Sequence, residues 1–414
     1  MVQNFSKIRR GGDTMKWYLG IDIGKYVHEA ILCDNEGKPR AKSVRFNATR
    51  DGYHALFLYI KKAVAGNALQ EIHAGMEATG PYWLSLYEHL IKLGIAVTVL
   101  NPLQVKAYRN EGIRGAKTDR IDCLLIVKVL KFGDYKESDV PNEDIFALRQ
   151  LTRLRADLVH MTSGLKVKVI AIFDQVFPEY KTLFYDMFAT TSQALLKEAV
   201  VPEQITAIST EKLTALLDTA SRGRQGAKEA DHIKAVARQS IGITIALDAF
   251  ALSLKILLAQ IHHLEEQVKQ LDREIVQKIT AQQTTLITIP GVGETTAATI
   301  LSEVGNFERF VQDKDGGEKL VALAGLDPKT KESGTMKGKA TMSKRGSPYL
   351  RQAVRNASFV AACGSRPDPM FKAIYDKQVK RGKPFEVALS HVENKMLHVI
   401  YSLLKSKKEY KPYI

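Results

Sequence analysis

Trp17 to Cys33 reads WYLGIDIGKYVHEAILC. The first half is apolar with β-branched isoleucines, the second half returns at strand spacing, and Gly24 stands between them. The segment therefore reads as two strands around a tight connection, a hairpin closed by the turn residues Asp34, Asn35, Glu36 and Gly37. Asp22 lies inside the first strand between Ile21 and Ile23. A charge in that position is costly unless something pairs it.

Outward from this hairpin, a third strand is expected near Ser43–Asn47, then a helix opening near Thr49 with Asp51 in its first turn and Leu56, Leu58, Ile60 and Val64 as apolar positions. EIHAGMEATG, ending at Gly80, reads as a short strand, followed by a helix from Tyr82 to Leu93. IAVTVLNP is a further strand ending at Pro102. The order β-β-β-α-β-α-β-α predicts an α/β unit with a mixed sheet, antiparallel at its start and then crossed over by helices.

After Pro141 the pattern becomes helical, from Phe146 to Phe177 and from Thr182 to Ala237. Leu247, Phe250, Leu254, Leu257, Ile261, Leu264, Val268, Leu271 and Ile275 then alternate spacings of three and four, the seam of a coiled coil between chains or in a hairpin. Beyond Thr284 come ITIPGVGETTAATILSEVG, a Gly- and Lys-rich stretch and a helical C-terminus. Three regions are expected: an α/β domain at 16–140, a helical connector at 141–283 and a mainly helical domain at 284–406.

The 414 residues carry 60 Lys and Arg against 45 Asp and Glu, a net charge of +15. A polyanionic partner is the first implication. Cys33, Cys123 and Cys363 have no short metal or redox spacing, which points to reduced thiols and excludes a disulfide-stapled fold. The N-terminus, with Lys7, Arg9 and Arg10 running into glycines, lacks the apolar core of a signal peptide, and no unbroken apolar stretch approaches membrane-spanning length. The expected location is cytoplasmic, at the nucleoid of a prokaryotic cell, with no membrane partner.

Three constellations carry chemistry. The first is acidic: Asp22, Glu77 at the end of the fourth strand, and Asp119 with Asp122 in AKTDRIDCLLIVKVL. Asp119 and Asp122 are three apart, hence on one helix face, where they can meet a third carboxylate across the sheet. Such anions repel one another unless cations intervene, and Mg²⁺ or Mn²⁺ is the usual resolution. Two such ions about 4 Å apart suit phosphodiester chemistry. Lys117 and Arg120 beside them suit phosphate contacts. The second is IPGVG, where Gly291 and Gly293 permit a turn whose amides, at the start of a helix, can hold a phosphate, as in a helix-hairpin-helix motif. The third runs from Leu323 to Ala357 and is densely basic, with Lys337, Lys339, Lys344, Arg345 and Arg351 as expected nucleic-acid contacts. Ser333, Ser343 and Ser347 all lie within it, and composition does not choose among them.

GIDIGK, MEATGPYW, NPLQVKAYR and KTDRIDCLL resemble the N-terminal DEDD, RuvC-like domain of insertion-sequence transposases of the IS110 family. IPGVGETTA, ALAGLDP, KESG and SKRGSPYLR resemble the C-terminal transposase domain of the same family, and the resemblance spans Tyr18 to Leu404. It implies an RNase H-like fold for the first domain, with Asp22, Glu77, Asp119 and Asp122 as catalytic, metal-binding acids. It implies that Ser333 is a nucleophile forming a covalent serine–DNA intermediate during excision and integration of an element. It further implies donor and target DNA as substrates, a structured non-coding bridge RNA as guide, and a homo-dimer or tetramer in which the serine of one subunit joins the acids of another.

Three other classes compete. A RuvC-like metal-dependent nuclease would use the acids and no serine chemistry. GIDIG also resembles the phosphate strand of actin-like sugar kinases, but the second phosphate strand and the adenosine loop of that class are not found in this sequence. A non-enzymatic scaffold would leave Asp22 unexplained.

Overall fold

The computed structural model describes residues 17–64, 69–102, 105, 108, 119–132, 142–311, 314–329, 332–333, 336–337 and 341–412. Lys117 and Lys339 lie outside them, and Ser333 and Lys337 are described by backbone alone. The chain divides into two compact units, Met1–Val140 and Pro141–Ile414.

The first unit is built on a five-stranded mixed sheet in the order β3-β2-β1-β4-β5. Strands β1 (Trp17–Asp22), β2 (Val27–Asp34) and β3 (Val44–Asn47) are successive antiparallel partners. Helix α1 (Arg50–Ala63) then crosses over to β4 (Ile72–Glu77), which runs parallel to β1. Helix α2 (Leu84–Lys92) leads to β5 (Ala96–Leu100), parallel to β4. Thr49 caps α1 by accepting a hydrogen bond from the Gly52 amide, as the Thr-x-x start suggests.

Side chains alternate across the sheet. Leu19, Ile21, Ala74 and Met76 share one core with Leu56 and Ile60 of α1 and Leu86 and Leu90 of α2. The opposite face is covered by α3 (Asp119–Phe132), whose Ile126, Val129 and Leu130 pack with Leu100 and Tyr18, and whose Cys123 and Val127 pack with Ile31 and Cys33. The alternation that buries Leu19 and Ile21 beneath α1 therefore turns Gly20 and Asp22 toward α3.

The second unit is helical. Its α4 (Glu143–Val176) and α9 (Leu247–Ala281) lie side by side, joined by Arg155–Asp272 at 2.5 Å and Lys166–Glu265 at 2.7 Å. Rising numbers on one helix meet falling numbers on the other, so the pair is antiparallel. Of the seam positions, Leu254, Ile261 and Ile275 are buried. Helix α9 has the length and apolar composition of a membrane span, and beyond its most apolar stretch Glu265 and Asp272 make these ion pairs with α4.

At one end of this pair, α5 (Thr190–Glu198), α6 (Pro202–Ala207), α7 (Thr210–Ser221) and α8 (Ala227–Arg238) gather around a core that includes Phe173, Phe177 and Tyr180. At the other, Leu148, Ile275 and Ile279 join the core of α10 (Glu294–Val304), α11 (Glu308–Val311), α12 (Gly316–Ala324), α13 (Pro348–Cys363), α14 (Pro369–Lys380) and α15 (Phe385–Ser406). Arg153 and Glu303 clamp α4 to α10 with a two-pronged ion pair at 2.6 and 2.9 Å.

Candidate active site

Asp22 ends β1 and Glu77 ends β4. Ile21 pairs with Met76 in the parallel register, so Asp22 and Glu77 come next, side by side at the carboxyl ends of adjacent strands and on the face that carries α3. A sequence pattern can place each acid at a strand end. Only the pairing of β1 with β4 makes them neighbours.

Two glycines govern how closely α3 approaches. Gly20 and Gly75 are register partners. A Cβ built on Gly20 would lie 2.1 Å from the carbonyl oxygen of Cys123, and one on Gly75 would lie 2.5 Å from Cδ1 of Leu130. No larger residue at Gly20 fits without moving helix backbone, so this pair of missing side chains is the seat of α3. Sequence reasoning missed both residues, although glycine inside a strand is a usable signal of close backbone approach. With α3 seated, its first turn brings Asp119 and Asp122 toward Asp22. Asp122 is buried, while Asp119 and Arg120 are exposed.

The Asp22 carboxyl is pushed up to about 6, first by burial and then by the negative charges of Asp122, Asp119 and Glu77. The other three acids thus act on Asp22. Among the described residues no three His, Cys, Asp or Glu side chains are gathered closely enough to hold a metal ion. The four are electrostatically coupled without forming a finished cage. Their all-oxygen donor set and mutual repulsion suit a hard divalent cation, which would reverse the penalty on the ionised Asp22.

In the second unit the basic segment folds as two nested ladders. Pro328–Lys329 (β6) pairs with Thr341–Met342 (β9), and Glu332–Ser333 (β7) pairs with Met336–Lys337 (β8), with Ser333 opposite Met336. Ser333 is therefore the last residue of β7, in the inner ladder of this ribbon. The other two serines are engaged elsewhere. Ser343 donates from its hydroxyl to the Asp327 carboxylate. Ser347 caps α13 by accepting from the Leu350 amide at 3.1 Å and donates to Glu303 at 2.8 Å.

The expected nucleic-acid contacts are unlike one another. Lys344 and Arg345 are exposed, and Lys344 takes a left-handed backbone with φ of 53°. Arg351 is half-buried and donates from Nη1 to the Ala324 carbonyl at 2.8 Å, bracing the end of α12. Gly291, with φ of 83°, has its Cα against α13: a Cβ there would lie 2.4 Å from the Ala357 carbonyl oxygen. Gly293 caps α10 and has open space where a Cβ would be.

Residues 19–178 match the model of the DEDD transposase domain of IS110, described as a transposase, and residues 283–376 match that of the transposase IS116/IS110/IS902 family. The pilin gene-inverting proteins of Moraxella bovis and Moraxella lacunata are each 23% identical over 404 residues, covering 95% of this chain and 98% of theirs. The uncharacterized 43.6 kDa protein of insertion element IS110 from Streptomyces coelicolor is 32% identical over 164 residues, 39% of this chain and 38% of its own.

Proposed function

Because the chain belongs to the IS110 family of insertion-sequence transposases, we propose that it is the DNA recombinase of a mobile element, acting through the acids Asp22, Glu77, Asp119 and Asp122 and the nucleophile Ser333. Transposition or recombination of DNA is supported by both family matches and by relatives named for transposition and for inversion of a pilin gene. The observation that carries the site is the convergence of three further acids, Asp122, Asp119 and Glu77, on Asp22. The five-stranded order and the helices on both faces are consistent with an RNase H-like domain.

The Ser333 hydroxyl attacks the DNA phosphorus, a phosphorus–oxygen bond to serine forms, and the deoxyribose oxygen leaves with a proton. The new ester keeps the phosphodiester energy, so the reverse attack by another strand end rejoins DNA without ATP. A serine hydroxyl needs help to lose its proton. Asp22, Glu77, Asp119 and Asp122 are the residues that would hold a divalent cation, which would supply Lewis-acid stabilisation of the charge developing at the phosphate. The assignment of Ser333 is supported by its place in the Glu-Ser-Gly element and by the engagement of Ser343 with Asp327 and of Ser347 with Glu303. Guidance by a structured RNA and a homo-oligomer that joins the serine of one subunit to the acids of another complete the reading by family resemblance.

The test is a stalled reaction on element-end DNA, resolved by denaturing electrophoresis and peptide mapping. The reading expects protein linked to DNA through Ser333, and loss of both adduct and recombination in Ser333→Ala. Cleavage that persists in Ser333→Ala with free 5′ and 3′ ends identifies a metal-dependent nuclease instead.

A further inference from the structure

The turn that joins β1 to β2 leaves directly from Asp22. Register fixes its place: Asp22 pairs with Glu29 and Val27 with Asn47, so residues 23–26 lie beyond the paired strands, at the end of the sheet where Asp22 and Glu77 stand. The turn is tight, since a Cβ on Gly24 would lie 2.3 Å from the Val27 carbonyl oxygen. Four residues of chain reach at most about 14 Å, which bounds the distance from Asp22 to Tyr26.

Tyr26 is 71% exposed. Its backbone is held, because its carbonyl accepts from the Ala48 amide at 2.8 Å, while its ring has no hydrogen bond and no aromatic partner among the described residues. His28, two residues on, gives the contrast: it is buried against Phe46 and Tyr53. What the Tyr26 ring meets is the ammonium of Lys25, 4.9 Å from its centroid. Lys25 is itself exposed and has no ion pair among the described residues. An anchored turn thus presents an open ring and an unneutralised cation together, and core packing accounts for neither.

In the recombinase reading, on which this inference rests, the acids act on a DNA phosphodiester. A strand whose phosphate reaches Asp22 must pass this turn within a few nucleotides. The ammonium suits a neighbouring phosphate, and the ring suits a base face. A duplex keeps its base faces against one another, so only an unpaired base can use the ring. We infer that Tyr26, with Lys25, is a stacking post for an unpaired nucleotide of DNA at the mouth of the acid site. It is a substrate-positioning residue, separate from the ribbon that carries Ser333.

The experiment is ultraviolet cross-linking of the full chain to oligo(dT) carrying one 5-iododeoxyuridine, a base that joins covalently to rings stacked on it, followed by peptide mapping. The adduct should map to Tyr26, and its yield should fall when the same nucleotide is paired in a duplex. Tyr26→Phe keeps the ring and should still cross-link at that position. Tyr26→Leu should lose the adduct and weaken oligo(dT) binding by about fivefold or more, with duplex affinity and melting temperature unchanged. Lys25→Ala should shallow the log–log salt dependence for oligo(dT) by about 0.7.

Absence of an adduct at Tyr26, equal yield from the duplex, oligo(dT) affinity in Tyr26→Leu equal to that in Tyr26→Phe, or a higher yield with the RNA counterpart overturns the inference. Cross-linking involves no chemistry at Ser333, and Ser333→Ala should cross-link as the unmodified protein does. Failure of the serine–DNA adduct and failure of the stacking post are therefore separate results.

Discussion

At the acid end of the sheet, Asp22 and Glu77 terminate six-residue strands whose alternate side chains lie in a closed core, and Asp119 and Asp122 begin a 14-residue helix seated on two glycines. Ser333, in contrast, stands on a strand of two residues, paired with another of two, beyond an outer ladder of the same length. The ribbon is tied to the end of α12 by the bonds from the Lys344 amide to Gly325 at 3.0 Å and from the Ser347 amide to Leu323 at 2.7 Å. Among the described residues the acids are thus positioned by core packing, and the backbone of Ser333 by its pairing with Met336. Core packing pre-organises the groups it holds.

The comparison breaks first at Asp22. Asp22→Asn should reduce strand exchange below detection, yet it should raise the melting temperature at pH 7, because it removes a charge that its neighbours oppose. The raised carboxyl means that the folded state binds the proton more tightly than the unfolded state. This group's contribution to stability is therefore greatest at low pH and declines as pH rises from about 4 to about 6. The stabilising effect of Asp22→Asn should accordingly shrink on acidification through the same window, which thermal melts across pH would follow. Added Mg²⁺ should raise the melting temperature of the unmodified protein more than that of Asp22→Asn, and an equal rise in both would count against the four acids as a cation site.

Gly20→Val tests whether the seat of α3 sets the acid geometry. The added side chain meets helix backbone, so activity should fall about 100-fold with a lower melting temperature. Gly75→Ala meets side chains, those of Leu130 and Ile126, and no backbone, and should be milder. Equal effects would mean that the close approach at Cys123 is unimportant.

In the second unit, Arg153→Ala leaves Glu303 buried without its cation. It should destabilise that unit by roughly 2 kcal/mol, less than for a fully buried pair because Arg153 is partly exposed. Chemical denaturation should show the loss there, with the melting of the acid-bearing unit unchanged. The smallest effects are expected around the ribbon: Ser343→Ala and Ser347→Ala should each cost about 1 kcal/mol, through a lost hydrogen bond and a lost cap, and reduce recombination less than tenfold. A complete loss of recombination in Ser343→Ala with wild-type folding would move the nucleophile from Ser333 to Ser343.

Much of this was legible before any coordinates. The hairpin around Gly24, the cap at Thr49, the crossover order and the long helices are consequences of residue periodicity and local hydrogen bonding, which act over a few neighbours in the chain. Asp22 was legible for the same reason, because a charge between two isoleucines is anomalous wherever the strand goes; Glu77, Asp119 and Asp122 are unremarkable singly and stand out only as an ordered set on that scaffold. Their adjacency was not. It depends on β1 pairing with β4 across the 49 residues between them and on Gly20 meeting Gly75 beneath α3, and no local pattern encodes which strand lies beside which. The engagement of Ser343 and Ser347 was equally hidden, since Glu303 is 44 residues from Ser347. Sequence determined which elements form and which residues are chemically out of place; packing alone decided which of those residues meet, because contacts distant in the chain are made by burying common surface.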